Sequence, residues 1–188
     1  MTFINSIPSH PHDIHRILNS WSPTKKLMLM ALMAALAAIL QSAGGVSPVI
    51  RYTISPFATA PILLVALLSL RSGIFTYLVT ICLLVVTVPS ELVIFPFTTG
   101  LLGLGLGWTF HTLNKRSEIA ITNSLLLCIG ICIPLYVFGF PIFGSTVSST
   151  HNLTVLLIIF TFSYLYSWVW MELGLLILLK IKPILMRK

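Results

Sequence analysis

The first candidate for chemistry is a carboxylate at the head of a long apolar run, in the segment ELVIFPFTTGLLGLGLGW at residues 91–108. At helical spacing, Glu91 shares a face with Phe95 and Thr98, so a carboxylate and a hydroxyl line one side of the segment. A carboxylate accepts hydrogen bonds from an amine or a ring N–H. We predict that a polar ligand arrives at Glu91, with plain solvation at the membrane surface as the alternative.

A second candidate is an aromatic stripe that ends in an acid, in SYLYSWVWMELG. Tyr164, Trp168 and Glu172 recur every four residues, which places them on one helix face. The two aromatic rings favour a flat ligand. A carboxylate inside an apolar segment is costly, so Glu172 is expected to face the protein interior or to be protonated. This stripe favours a partly polar internal cavity over an interfacial aromatic belt, and it leaves the role of Glu172 open.

Other residues argue against metal and covalent chemistry. The histidine cluster SHPHDIH holds His10, His12 and His15, but Pro11 interrupts any helical ligand spacing. We expect a solvated tail there and no metal site. The chain has no GxSG segment, no pair of buried aspartates and no Walker loop, so we expect neither an enzyme nor hydrolysis of ATP by this chain.

The composition identifies the elements that must position these residues. Of 188 residues, 57% are hydrophobic and 8% are charged, with a mean hydropathy of +1.02. A soluble domain carries about a quarter of its residues as charged side chains, so the chain is predicted to be a polytopic all-α membrane protein. We divide it into a tail with a short amphipathic segment at 1–24 and a six-helix domain at 25–188. The six apolar runs cover about 27–44, 56–70, 73–88, 92–113, 119–140 and 153–179.

The basic residues predict the orientation in the cell membrane. With six spans, all but one of the 11 Lys and Arg residues fall on the side of the two termini. Arg51 is the exception. Because basic residues are enriched in cytoplasmic segments, both termini are predicted to be cytoplasmic. The first outer segment, which carries Arg51, could close over the bundle, and the third ends in His151 and Asn152.

Small residues mark two helix contacts. Ala31 and Ala35 are four apart in the first run, as are Ala34 and Ala38. Such a stripe marks close helix packing, and spacing favours an internal contact and an external docking surface equally. In the fourth run, Gly103 and Gly107 form a GxxxG pair that is predicted to pack inside the bundle.

These features together resemble a known family. Six spans in fewer than 200 residues, cytoplasmic termini and the alanine-rich first span ALMAALAAIL are similar to the substrate-binding S component of an energy-coupling factor (ECF) transporter. The stretch PFATAPILLVALLSLRSG resembles its second span and tight inner turn. FPFTTGLLGLGLGWTFHTLNKR resembles its fourth span and the basic turn that follows. The chain departs from the family at RSG, where a glycine–proline pair is common.

The resemblance implies a function and a set of partners. The family captures a vitamin-like micronutrient at the outer face, and two cytosolic ATPase subunits use ATP to drive uptake. In this chain the aromatic pair Tyr164 and Trp168 favours a heteroaromatic micronutrient. The chain itself binds no cofactor. The first helix docks onto a membrane scaffold (T) subunit, which implies docking through Ala31, Ala34, Ala35 and Ala38. The pocket of the family implies substrate contacts from Glu91, Thr98, Trp168, Tyr164, Asn152 and Arg51.

Two other functions stay open at this point. The alanine and glycine stripes also suit a small permease or channel made of several copies of the chain. A membrane assembly factor that transports nothing is the third possibility. Partners that co-purify with the protein would discriminate among the three.

Overall fold

Six α-helices make up the regular structure of a computed structural model that describes residues 21–43, 53–139 and 153–186, with side chains through residue 180. Arg51, Asn152 and the histidine cluster lie outside the described residues. Two short 3₁₀-helices, Ser55–Ala58 and Pro89–Val93, precede the second and fourth α-helices. The α-helices are α1 Pro23–Ser42, α2 Thr59–Leu68, α3 Leu70–Thr87, α4 Thr99–Thr112, α5 Arg116–Tyr136 and α6 Leu153–Met186.

Four of the helices are long and apolar enough to cross a membrane. They are α1, α3, α5 and the stretch Leu153–Lys180 of α6. The prediction of an all-helical membrane protein is therefore confirmed for the described chain. Helices α2 and α4 are shorter, with 10 and 14 residues, or about 15 and 21 Å at the helical rise.

The bundle has two distinguishable ends. At one end, α1 and α3 finish side by side, where the hydroxyls of Ser42 and Thr87 are 3.4 Å apart. We call this the Glu91 end, because Glu91 follows α3 there. At the opposite end, α2 and α4 finish together, where Nε2 of His111 lies 3.1 Å from the carbonyl oxygen of Ala66.

Helix α1 lies at the edge of the bundle. Its start is fixed by Ser22, whose hydroxyl accepts from the backbone N–H of Lys25 at 3.4 Å, and by Pro23 in the first turn. The helix packs on α3, where the hydroxyl of Thr80 is 3.5 Å from the carbonyl oxygen of Ala34. Its other side is apolar and exposed, as Met28 at 69% shows. That side therefore faces lipid or another membrane protein.

A single extended residue, Ser69, joins α2 to α3. For α3 to fold back so sharply, its first turns must come close to α2. A Cβ built on Gly73 would lie 2.7 Å from Cα of Ala66, closer than real side chains come. The glycine of the RSG turn is thus required by packing.

Helices α2 and α4 pack against each other in the centre of the bundle. A Cβ on Gly103 would lie 2.9 Å from Cβ of Ile62, and one on Gly107 would overlap Cβ of Ala66. The prediction that the GxxxG pair packs inside the bundle is confirmed. The missing side chains let two backbones approach, which in lipid is the main source of helix association.

The apolar run at about 92–113 predicts one continuous fourth helix. In the structure this run is interrupted. Helix α4 begins only at Thr99, and a turn at 94–98 separates it from the 3₁₀-helix. The physical cause is Pro96, which has no N–H to donate and disfavours helical geometry in the residue before it. The hydroxyl of Tyr77 donates to the carbonyl oxygen of Pro96 at 3.0 Å. Irregular backbone of this kind is tolerated at membrane depth where protein surrounds it.

Two apolar clusters flank the central helices. The larger cluster joins α2, α4, α5 and α6, and includes Leu106, Phe110 and Met171. The smaller cluster joins the second half of α1 to α2, α3 and the turn before α4, through Ala37, Ile62 and Phe95. The candidate site residues divide between these two regions.

Candidate functional site

Glu91 lies at the centre of a buried hydrogen-bonded network. Nε2 of Gln41 donates to Oε2 of Glu91 at 2.8 Å, and the hydroxyl of Thr99 donates to Oε1 of Gln41 at 2.9 Å. Glu91 and Gln41 are each 0% exposed. These three residues, which we call the Glu91 network, join the end of α1 to the start of α4.

The chain positions the network through local geometry. Gln41 lies in the last turn of α1, one turn beyond the buried Ala37 and Ala38. Glu91 is placed by the 3₁₀-helix after α3, and its carbonyl accepts from the backbone N–H of Phe95 at 2.8 Å. The network therefore fixes α1 against the irregular start of α4.

The structure changes the interpretation of the predicted face. Glu91, Phe95 and Thr98 are all buried, so the face points inward. Glu91 does not stand in an open mouth at the membrane surface, because its side chain is completely buried. The hydroxyl of Thr98 donates to the carbonyl oxygen of Ile94 at 2.8 Å, within its own turn.

Gln41 and Thr99 are the members of the Glu91 network that were not predicted from the sequence. Gln41 ends the apolar run of α1, and Thr99 is the neighbour of the chosen Thr98. A glutamine inside an apolar run was a usable signal, since polar side chains in membrane helices seek a partner. The partner itself was not readable, because Glu91 lies 50 residues further along the chain.

The alanine stripe of α1 is divided between two environments. Ala34 is 0% exposed and Ala38 is 4% exposed, so these two pack inside the chain. Ala35 is half-buried and Ala31 is exposed. The predicted docking role is therefore wrong for Ala34 and Ala38. The surface that the stripe offers to a partner consists of Ala31 and the exposed edge of Ala35.

Aromatic residues form two stripes on α6. Tyr164 and Trp168, the predicted pair, are half-buried, and their ring centroids are 6.1 Å apart. Tyr166 and Trp170 form the other stripe, with centroids 6.4 Å apart. Spacing of four residues describes both stripes, so the sequence offered no reason to choose between them.

The second stripe reaches the start of α2. The hydroxyl of Tyr166 donates to the carbonyl oxygen of Pro56 at 3.2 Å. Trp170, which is 4% exposed, meets the ring of Phe57 edge to face at 6.4 Å. These contacts place the middle of α6 beside the beginning of α2, at the Glu91 end of the bundle.

Three hydroxyls in this region are buried and have no hydrogen-bond partner among the described residues. They belong to Thr59 at the start of α2 and to Ser163 and Ser167 on α6, each 0% exposed. We call them the hydroxyl trio. A buried polar group without a partner costs about 1–3 kcal/mol, so the trio is an unusual feature of the core.

Glu172 has a partner across the bundle. Its Oε1 lies 3.4 Å from Nη1 of Arg116, the first residue of α5. The side chains are 38% and 29% exposed, respectively. Glu172 was expected to face the protein interior or to be protonated, whereas its side chain is partly exposed and pairs with Arg116. This ion pair joins α5 to α6.

A further polar contact joins α4 to α5 without charge. Nδ2 of Asn123, which is 0% exposed, donates to the hydroxyl of Thr109 at 2.8 Å. Gly105 makes room for it, since a Cβ there would lie 2.7 Å from Oδ1 of Asn123. This contact orders the core and lies in the half of α4 away from Glu91.

The described contacts therefore bring together some predicted site residues and separate others. Glu91 and Thr98 lie in the region of the smaller apolar cluster, whereas Tyr164 and Trp168 pack against the larger one. No family model, no curated protein and no solved structure matches this chain.

Proposed function

We propose that this chain is the substrate-binding subunit of an ECF-type importer in the cell membrane. In this proposal it captures a vitamin-like heteroaromatic micronutrient at the outer face, and a scaffold subunit with two ATPases drives its uptake. The observation that carries the proposal is the distribution of buried polar groups. The Glu91 network and the hydroxyl trio both lie at the Glu91 end, so this end holds six of the buried polar residues of the described chain.

The distribution of charge supports assigning the Glu91 end to the outer face. Three basic residues lie at the end of the bundle opposite to Glu91. Lys25 is in the first turn of α1, Arg71 is in the first turn of α3, and Lys115 directly precedes α5. Basic residues favour the cytoplasmic side. With that orientation, the buried polar groups lie where a nutrient would arrive from outside.

The six-span arrangement belongs to the proposal. Helix α2 extends to 14 residues with its preceding 3₁₀-helix, or about 21 Å if the whole segment has the α-helical rise. Helix α4 is likewise extended by the irregular segment 89–98. Discontinuous helices whose unwound parts are buried in protein are typical of membrane transporters.

Co-purification tests the function most directly. The protein is tagged in its native host, extracted in mild detergent and analysed by mass spectrometry. A scaffold subunit and two ATPases that elute with it support the proposal. Elution of the chain as a pure homo-oligomer favours a permease instead, and elution with unrelated membrane proteins favours an assembly factor.

The docking role of α1 has its own test. Ala31→Trp places a large ring on the exposed part of the alanine stripe and is expected to abolish co-purification of the scaffold. Leu32→Trp, at a neighbouring position that is 60% exposed, is the matched control and should retain the scaffold. Equal retention by both variants contradicts docking through Ala31.

A further inference from the structure

Helices α1 and α3 run side by side in the same direction. Near their ends, the hydroxyls of Ser42 and Thr87 are 3.4 Å apart. Further back, the hydroxyl of Thr80 is 3.5 Å from the carbonyl oxygen of Ala34. The two contacts are about 11 Å apart along the helices at the helical rise. Because the helices stay adjacent between these contacts, their register is fixed.

This register places two cations at the same level. Lys25 precedes Ala34 by nine residues, and Arg71 precedes Thr80 by nine residues. Both cations are exposed, in the first turns of their helices. Packed helices lie about 8–10 Å apart, and both side chains are long. Lys25 and Arg71 can therefore reach one anionic group together.

Neither cation has an acidic partner. Lys25 and Arg71 form no ion pair in the part of the chain that the structure describes. The acids nearest in level, Glu118 and Glu172, pair with cations at the start of α5. Glu91 lies at the opposite end of the bundle. Two positive charges are therefore available to an anion at this place.

Each cation also begins an exposed apolar stripe at helical spacing. On α1 the stripe is 42–69% exposed and consists of Met28, Leu32, Leu36 and Ile39. On α3 the stripe is likewise exposed and consists of Phe75, Leu78, Cys82 and Val86. The buried faces of both helices join the smaller apolar cluster with α2. The two stripes therefore point away from the bundle, and we call them together the α1–α3 face.

The dimensions of the α1–α3 face match a phospholipid in one leaflet. From Met28 to Ile39, and equally from Phe75 to Val86, the stripe extends about 16 Å at the helical rise. Half of the hydrocarbon thickness of a bilayer is about 15 Å. Cations at the membrane surface attract anionic headgroups, and a guanidinium matches the geometry of a phosphate. An acidic protein segment would meet the same charges, but it would not account for an apolar surface of this length.

We infer that the α1–α3 face binds an anionic phospholipid, with the phosphate between Lys25 and Arg71 and the acyl chains along the two stripes. The site is independent of the proposed importer function, because it uses neither the Glu91 network nor the exposed part of the alanine stripe.

Native mass spectrometry of the purified full-length protein tests the site. Phosphatidylglycerol and phosphatidylcholine with identical acyl chains are titrated separately. The wild type should bind phosphatidylglycerol at least about tenfold more tightly, and Lys25→Gln/Arg71→Gln should lower this preference about tenfold, since each cation near the surface attracts an anionic lipid.

Lys115→Gln/Lys180→Gln is the matched control. It removes two exposed cations from the same end of the bundle but outside the α1–α3 face, and it should keep the preference for phosphatidylglycerol. In phosphatidylcholine, both double variants should melt close to the wild type, because all four side chains are exposed. This second measurement separates loss of the lipid from loss of folding.

Two further measurements locate the lipid and identify its source. A phosphatidylglycerol with a photoreactive acyl chain should cross-link to α1 and α3. Glycerophosphoglycerol, which is the same headgroup without acyl chains, should not displace the lipid at equal concentration. These results would distinguish a bound lipid from a free phosphate.

Several outcomes would overturn the inference. Equal affinity of the wild type for both lipids would do so, as would equal loss of preference in the two double variants, which would assign the effect to the net charge of this end. Cross-linking mainly to α5 or α6, or displacement by glycerophosphoglycerol, would also contradict it. A co-purifying protein that only Lys25→Gln/Arg71→Gln loses, without any lipid preference, would assign the face to an acidic protein partner instead.

Discussion

Helix α4 is built differently along its two halves. Between Gly103 and Gly107 it presses against Ile62 and Ala66 of α2, with backbones close enough that no side chain fits between them. At its start, Thr99 instead enters a hydrogen-bonded network with Gln41 and Glu91. The first contact depends on shape and the second on polar pairing. The comparison suggests that one half of α4 is held by close packing and the other by polar pairing.

The largest effect is expected in the close-packed half. Gly107→Val places branched carbon atoms where even a Cβ overlaps Cβ of Ala66. Overpacking of a core costs about 1–3 kcal/mol and sometimes more, and here the backbones of α2 and α4 would have to separate. We expect a loss of about 3 kcal/mol or failure to fold, measured by thermal unfolding in detergent.

Trp108→Val is the control for this substitution, because Trp108 is the next residue of α4 and is 49% exposed. It should change the melting temperature far less. If the two variants are equally stable, the GxxxG contact does not hold α2 against α4, and the contrast between the halves is lost.

The next effect is expected in the polar half. Glu91→Leu removes the acceptor of Gln41 and leaves a buried amide without its partner, which costs about 1–3 kcal/mol. In the double variant Glu91→Leu/Gln41→Leu both members of this pair are gone and only the Thr99 hydroxyl loses its acceptor, so the loss should be smaller than the sum of the two single losses. Thermal unfolding of the four proteins measures this coupling. Additive losses would mean that the two side chains act independently.

The sequence predicted much of the fold and little of the network. Each apolar run yields a helix near the expected position, because the need to pair backbone groups in lipid dictates helices there. Pro96 was visible in the sequence, but its effect on the start of α4 depends on the surrounding protein. The pairing of Gln41 with Glu91 required knowing that the ends of α1 and α3 meet, and no local pattern encodes that.

The candidate site shows the same limit. Helical spacing grouped Glu91 with Thr98, but the segment that carries them is a 3₁₀-helix and a turn, so spacing could not predict that both side chains are buried. Sequence spacing alone could not decide between the two aromatic pairs on α6, because Tyr164 and Trp168 have the same spacing as Tyr166 and Trp170. Ser163 and Ser167 gave no signal, because serines in membrane helices are usually bonded within the helix.

A smaller effect is expected where α5 meets α6. Glu172→Gln removes the charge that pairs with Arg116 at 3.4 Å. Because both side chains are about one-third exposed, solvent screening reduces the contribution of the pair to about 1 kcal/mol. The exchange Arg116→Glu/Glu172→Arg should recover part of that loss in thermal unfolding, and no recovery would mean that local packing, not the ion pair, dominates.

The smallest effect is expected one residue away, at Lys115 and Glu118. Their charged atoms are 3.1 Å apart, closer than those of Arg116 and Glu172, yet the side chains are 59% and 45% exposed. A surface pair three residues apart contributes about 0.3 kcal/mol, and salt screens it. Glu118→Gln should therefore shift the melting temperature slightly at low salt and not measurably at 1 M salt. A shift as large as that of Glu172→Gln would show that distance, rather than burial and the joining of two helices, decides the strength of ion pairs at this end of the bundle.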